Sequence, residues 1–226
     1  MEGQIDRRWF ILAGFALVAV AVVAAILISR GGGSSSGSSS GSTADGCKDV
    51  EAPAPKTTQF KAPKQVLGKG EEATAVVETS CGTFDIALDT TRAPKIANSF
   101  AFLAEEGFYD ELTFHRIVPG FVIQGGDPKG DGTGGPGYSV VEKPPANLSY
   151  TKGVVAMAKS SADPPGSAGS QFFVVTGADA GLPAEYALLG KVSKGMSVAE
   201  RIEKVPTEGE TPKSTVLIEK ITIEKG

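Results

Sequence analysis

Histidine occurs once in this chain, at His115, and cysteine twice, at Cys47 and Cys81. A Cys/His zinc site needs three or four such ligands, so this count nearly excludes one, and no metal centre is expected. A single histidine also weighs against hydrolysis through an activated nucleophile. Ser170 stands outside any Gly-x-Ser-x-Gly turn, and His115 would have to carry every proton transfer. Basic residues are in deficit: 22 Lys and Arg against 26 Asp and Glu give a formal charge of −4, without the basic footprint that nucleic acid requires. The Gly-rich run Gly125–Gly135 lacks the Gly-Lys-Ser/Thr ending of a phosphate loop and the ligand spacing of a calcium loop, so it reads as structural. No internal repeat is present. At 41% hydrophobic and 21% charged residues, the 226-residue chain is neither disordered nor fibrous, and its length suits one ordinary domain with additions.

Those averages conceal unlike segments. Trp9–Ser29 carries no charge and is almost wholly apolar. Twenty such residues at about 1.5 Å each span roughly 30 Å, the hydrocarbon thickness of a bilayer, which predicts one transmembrane helix over 9–29 after a short tail, 1–8. Arg7 and Arg8 before it against Arg30 after it favour a cytoplasmic N-terminus, with the remainder outside a cell membrane. Processed alternatives are a secretory signal, for which Ile26–Arg30 is a poor cleavage site, and a twin-arginine signal around Arg7-Arg8-Trp9-Phe10-Ile11; both also export the rest. Gly31–Thr43 holds five Gly and seven Ser in 13 residues, a flexible coil, and Ala44–Ala73 with Pro53, Pro55 and Pro63 reads as extended connector. Residues 30–73 are thus expected to be a linker with a reach on the order of 35–40 Å, leaving 74–226 as the folded domain.

Cys47 falls in that linker and Cys81 in an expected exposed turn. Outside the membrane an even cysteine count permits one bridge, closing a loop of roughly 35 residues. Two unpaired thiols, or a bond from Cys47 to another chain, are the alternatives.

Within 74–226, Phe84, Ile86 and Leu88 alternate with polar or small residues, which is strand periodicity. With Ala75–Thr79 and the Gly82-containing turn they form a predicted hairpin. Further β-rich runs are Phe114–Val118, Phe121–Gln124, Gly153–Ala158, Phe172–Thr176, Ala187–Val192 and Val216–Glu224. Many short strands with regular turns indicate a mainly β sandwich or closed barrel. One helix is predicted from Pro94, with Ile96, Phe100 and Leu103 on one face and Gly107 as its stop. Another is predicted from the capping box Ser197-Val198-Ala199-Glu200, with Val198 and Ile202 inward. Two helices could plug the ends of a barrel.

The most informative stretch is Phe114-His115-Arg116-Ile117-Val118-Pro119-Gly120-Phe121-Val122-Ile123-Gln124-Gly125-Gly126-Asp127. A charge and an amide stand here in apolar β-type sequence, where each is costly without a partner or a task. Pro119-Gly120 predicts a reversal that returns Gln124 beside Arg116. Gly169-Ser170-Gln171-Phe172-Phe173 and the segment Leu182, Tyr186, Leu189-Gly190-Lys191-Val192 follow in order.

These residues resemble the cyclophilin family of peptidyl-prolyl cis-trans isomerases, over about Thr74–Glu224. The resemblance implies a closed eight-stranded antiparallel β-barrel capped by two α-helices, here preceded by the transmembrane helix and flexible linker. It also implies no cofactor and no metal. The implied activity is rotation about Xaa-Pro bonds in proline-containing polypeptide clients, here exported ones, assisting their folding. A proline-binding module or holdase on the same barrel is the alternative. Arg116, Gln124 and Phe121 correspond to the catalytic group. Met157, Phe173 and Leu182 complete an apolar slot with Phe121, His115 and Tyr186 line its edge, and Ala158 and Gln171 line the neighbouring groove. A domain of this kind is expected to be monomeric.

Departures from the family pattern are Gly181, where many members carry an aromatic that contacts cyclosporin, and Lys159, where many carry asparagine. Val122 replaces a common methionine, and the segment 159–168 is longer than usual.

Overall fold

The computed structural model describes residues 46–226; the predicted tail, transmembrane segment and Gly/Ser run lie outside the described residues. Among the described residues no helix is long and apolar enough to cross a membrane. In chain order the elements are β1 (Ala73–Thr79), β2 (Gly82–Leu88), α1 (Pro94–Glu105), β3 (Leu112–Thr113), β4 (Arg116–Val118), β5 (Val122–Gly125), β6 (Val140–Val141), β7 (Val154–Met157), β8 (Ser167–Ala168), β9 (Phe172–Val175), β10 (Leu188–Lys194), α2 (Met196–Glu203), β11 (Thr207–Glu208), β12 (Thr211–Pro212) and β13 (Leu217–Lys225).

Nine of these strands join in one antiparallel sheet of order β3-β13-β1-β2-β10-β7-β9-β5-β4. Its two end strands, β3 and β4, are separated on the chain only by Phe114 and His115, so the sheet has to curl for both to find their partners. Register sorts the side chains. Ile117, Ile123, Val174 and Val155 are paired in turn across β4, β5, β9 and β7, and all four are fully buried on the face turned to the core. The neighbouring row, Arg116, Gln124, Phe173 and Ala156, points to the opposite face, because successive strand residues alternate.

Helix α1 begins at Pro94, and the backbone N–H groups of Lys95 and Ile96 donate to Glu142 Oε2 at 2.9 and 3.1 Å. A carboxylate there satisfies otherwise orphaned donors and suits the positive end of the helix dipole. The apolar face buries Ile96, Phe100 and Leu103, and Phe100 packs on Tyr109 and Phe172 at centroid distances of 4.8 and 5.5 Å.

Helix α2 corrects the capping-box expectation. The residue before its first turn is Gly195, at φ +74°, and Ser197 lies inside the helix; no side chain caps the start. A Cβ on Gly195 would stand 2.6 Å from Thr83 O and 2.8 Å from Phe84 Cα, so close approach to β2 decides where the helix begins.

The segment 47–72 is extended, but it is fastened to the domain and does not hang as a free coil. Cys47 is disulfide-bonded to Cys81, with Cα atoms 4.1 Å apart. Lys56 N donates to Pro128 O at 2.7 Å and Phe60 N to Pro136 O at 2.7 Å, while the Phe60 ring meets Phe102 edge-on at 5.2 Å. Asn98 Oδ1 accepts from Val66 N and Leu67 N, and its Nδ2 donates to Lys64 O. Under this strap Cys81 is buried, not exposed as its turn position suggested, and its carbonyl accepts from Arg201 Nη1 at 2.5 Å.

Candidate active site

Arg116 enters the site from β4 and Gln124 from β5, paired in register across a tight turn. Phe121 N donates to Val118 O at 3.0 Å, with Pro119 and Gly120 between them and Gly120 at φ +73°. That is the residue preference of a type II turn: proline pre-sets the first central position and glycine accepts the positive φ of the second. Glu203 of α2 holds the turn from below. Its Oε1 accepts from Gly120 N and from Thr176 Oγ1, both at 2.6 Å.

The guanidinium of Arg116 is gripped from two sides. Nε donates to Glu210 Oε2 at 2.6 Å and Nη2 to Glu210 Oε1 at 3.2 Å, a bidentate contact, and Nη1 donates to Gln124 Oε1 at 3.3 Å. Glu210 sits in the turn of the β11–β12 hairpin, whose backbone docks on β4 through Ile117 N to Glu210 O at 2.8 Å. The chain of polar contacts continues: Gln124 Nε2 donates to Gln171 Oε1, and Gln171 Nε2 donates to the carbonyls of Gly132 and Gly134, all at 3.0 Å. Ala158 N closes this flank by donating to Gln171 O at 2.9 Å. The Gly-rich run is therefore a support for the groove. Asp127 shapes it by accepting from Lys129 N and Gly132 N.

Beside this polar row lies an apolar one. Phe173, buried, is paired with Gln124 and meets Tyr186 at 5.6 Å and 84°, edge to face. Phe121 and Leu182 are half-buried against the same core, and Gly181, at φ +61°, leaves open space where a side chain would stand. Met157 departs from its expected role. It is paired with Phe172, whose ring packs on Phe100, Tyr109 and Phe114, so register turns it to the core face and away from the Arg116–Gln124–Phe173 row. Val122, two residues before Gln124 and paired with Val175, shares the site face instead.

His115 is more than half buried, with both ring nitrogens shut off from solvent and the Thr113 backbone beside the ring. Burial lowers its pKa from the usual histidine value; Asp127 opposes that shift and the adjacent Arg116 charge adds to it. Burial thus favours the neutral imidazole, which limits the positive charge His115 adds beside the Arg116 guanidinium.

Sequence reasoning missed Glu210 and Glu203. Both are exposed-type residues in stretches without a local motif, and each matters only through a contact that the fold creates. Among the described residues no group of three or more His, Cys, Asp or Glu side chains could hold a metal ion.

An arginine held in a fork, a buried aromatic and an amide relay thus stand side by side on one face of a curled antiparallel sheet. The sequence matches the family described as cyclophilin type peptidyl-prolyl cis-trans isomerase/CLD over residues 74–223. It is 41% identical over 143 residues to a peptidyl-prolyl cis-trans isomerase-like 1 of Neurospora crassa, covering 62% of this chain and 86% of that protein. It is 38% identical over 170 residues to the peptidyl-prolyl cis-trans isomerase A of Mycobacterium tuberculosis, covering 67% and 92%. A solved Cryptosporidium parvum cyclophilin-type peptidyl-prolyl cis-trans isomerase, in the presence of the dipeptide Ala-Pro, superposes with a TM-score of 0.63 at 30% identity, covering 68% of this chain and 99% of that one. The chain belongs to the cyclophilin-type peptidyl-prolyl cis-trans isomerases, and its activity is that of a peptidyl-prolyl cis-trans isomerase.

Proposed function

We propose that the Arg116–Gln124–Phe173 row is where Xaa-Pro bonds are turned. The observation that carries this reading is the guanidinium of Arg116: three of its five N–H groups are taken by Glu210 and Gln124, which leaves two in a fixed plane for a client. The planar amide resists rotation by about 18–20 kcal/mol because the nitrogen lone pair is delocalised. Twisting returns that lone pair to the proline nitrogen. A donor already aimed there is worth more in the twisted state than in the planar one, which is the condition for catalysis.

Phe121, Val122, Phe173 and Leu182 hold the proline ring while the preceding residue swings. Gln124 orients Arg116 and the client carbonyl, His115 and Tyr186 form the edge, and Gln171 and Ala158 line the groove for the preceding residues. The Ala-Pro dipeptide present with the Cryptosporidium relative supports proline-containing peptides as the ligand class.

The curled sheet is read further as a closed eight-stranded barrel in which Leu112–Val118 is one bent strand, a reading supported by the adjacency of β3 and β4. Residues 9–29 are read as a single-pass anchor with the domain on the outer side, serving exported clients as one monomeric unit. The Cys47–Cys81 bond supports that placement, since such bonds persist mainly outside the cytosol. If the full chain leaves the membrane fraction in high salt or alkaline carbonate without detergent, the anchor reading is wrong.

The deciding experiment is NMR exchange on an Ala-Pro peptide with the full chain and its Arg116→Ala variant. Accelerated exchange that drops by more than about tenfold in the variant, equivalent to about 1.4 kcal/mol, supports the assignment. An Arg116→Ala variant as fast as the parent removes Arg116 from the mechanism. A parent that binds the peptide without accelerating exchange would make the domain a binding module.

A further inference from the structure

Lys159 is a charged residue whose side chain is only 6% exposed. An ammonium is costly to bury unless it is partnered, and its partners here lie on the loop after β7 and at Glu185 and Tyr186. Nζ lies 3.7 Å from Glu185 Oε2, 5.5 Å from the centroid of the Tyr186 ring, and 3.4 and 3.3 Å from the carbonyl oxygens of Ser160 and Asp163, to which it donates. A cation over an aromatic face is held by the ring's quadrupole, more strongly when water is excluded.

Tyr186 is in turn the edge of the apolar slot. It meets Phe173 at 5.6 Å and Tyr150 at 6.0 Å, both nearly perpendicular. The Tyr150 hydroxyl donates to Tyr186 O at 2.6 Å and accepts from Tyr186 N at 3.0 Å, which pins the backbone. Burial lifts the Tyr150 hydroxyl to about 12, so it keeps the proton that this contact needs.

Glu185 ties the loop after β7 at both ends. Its carboxylate faces Lys159, and its backbone carbonyl accepts from Gly166 N at 2.7 Å. Within the loop, Asp163 Oδ2 accepts from Ser160 N and Oγ at 2.9 and 2.8 Å. Immediately before it, Ala158 N is bonded to Gln171 O, a member of the polar row. One lysine therefore connects the loop, the aromatic edge of the slot and the start of the groove.

We propose that Lys159 is a positioning residue of the isomerase site: held over Tyr186 and against Glu185, it sets the slot edge and the 159–166 loop in one arrangement before a client binds. The inference rests on the reading of the slot given above. A groove ordered in advance loses less freedom on binding. Tyr186 and the loop touch the planar and the twisted client alike, so the benefit is uniform binding, which appears in KM and not in kcat.

The test is peptide-exchange kinetics on the full chain with Lys159→Met, which keeps most of the stem and removes the charge, and Lys159→Arg, which keeps the charge. The Met variant is expected to raise KM for an Ala-Pro peptide about fivefold with kcat within about twofold, and the Arg variant to bring KM back to within about twofold of the parent. An unchanged KM in the Met variant overturns the proposal, as does a fall in kcat at constant KM, or a folded Arg variant that rescues nothing. Should Lys159→Met fail to fold, Glu185→Gln weakens the same contact from the other side and carries the same expected rise in KM. Parent and Arg116→Ala samples measured alongside keep the two ideas separable: their difference tests the catalytic reading, whereas Lys159 variants test only the slot.

Discussion

The carboxylate of Glu210 meets Arg116 through two donors, yet its side chain is 56% exposed, and such pairs contribute less than about 1 kcal/mol to stability. Its role is therefore to aim the guanidinium. Glu210→Gln keeps one hydrogen bond but loses the charge and the two-point grip. It is expected to lower kcat/KM about three- to tenfold while Tm stays within about 2 °C. Calorimetry and exchange kinetics on one preparation decide this, and a fallen Tm with intact kcat/KM would count against it.

His115 gives a pH signature. Its folded pKa lies below the unfolded one because burial disfavours the charged ring, so the unfolded chain binds the extra proton first. Its contribution to stability is intact above the unfolded value of about 6.5 and is lost as pH falls from there through the lower folded pKa. Denaturant midpoints between pH 7.5 and 5 should show this decline, and His115→Phe should flatten it; an equal decline in the variant assigns the effect to other groups.

The hairpin motif could be read from sequence because everything it needs is local. Arg116 and Gln124 lie eight positions apart across a Pro-Gly turn, and strand alternation alone places them on one face. Glu210 stands 94 positions from Arg116, and no periodicity marks it. Met157 shows the opposite failure: an apolar residue at the end of a separate β-rich run, assigned to the slot by the resemblance, is turned inward by register, while Val122 takes the same face as Gln124. The start of α2 departs from its local sequence pattern for a related reason. Ser197-Val198-Ala199-Glu200 satisfies a local capping rule, but the backbone of β2 passes so close to Gly195 that the helix begins there. Gly195→Ala would set a Cβ against Thr83 O at 2.6 Å and force a residue to φ +74°. A loss of about 1–3 kcal/mol in urea unfolding is expected, with catalytic parameters unchanged in the folded fraction. A loss under about 0.5 kcal/mol would mean the strand yields easily and the contact does not set the boundary.

The folded unit does not begin where its family resemblance begins. Composition made 44–73 look like tether because Pro, Lys, Thr and Glu give no strand or helix period. Attachment comes instead from scattered points: a disulfide to Cys81, Phe60 on Phe102, and three backbone groups on Asn98. A chain started at Thr74 would expose Phe102 and Phe108, leave the buried Asn98 amide without those partners, and lose the cross-link. A chain started at residue 46 would keep them all. The cross-link alone closes a separation of 34 residues, for which chain entropy gives about 3–4 kcal/mol. For a domain of this size that corresponds to a Tm lower by roughly 10 °C after reduction or in the Cys47→Ser, Cys81→Ser pair. The Thr74 start should fall further still, since it also loses the aromatic and Asn98 contacts. The strap meets the Gly-rich run that supports the groove through backbone bonds at Pro128 and Pro136, and reducing the Cys47–Cys81 bond leaves both in place, so kcat/KM at 15 °C should be unchanged in the reduced protein. Equal Tm values for oxidised and reduced protein would show that the strap rests on the domain without stabilising it, and activity lost together with the bond would show that loosening the strap reaches the Arg116 row through the Gly-rich run and Gln171.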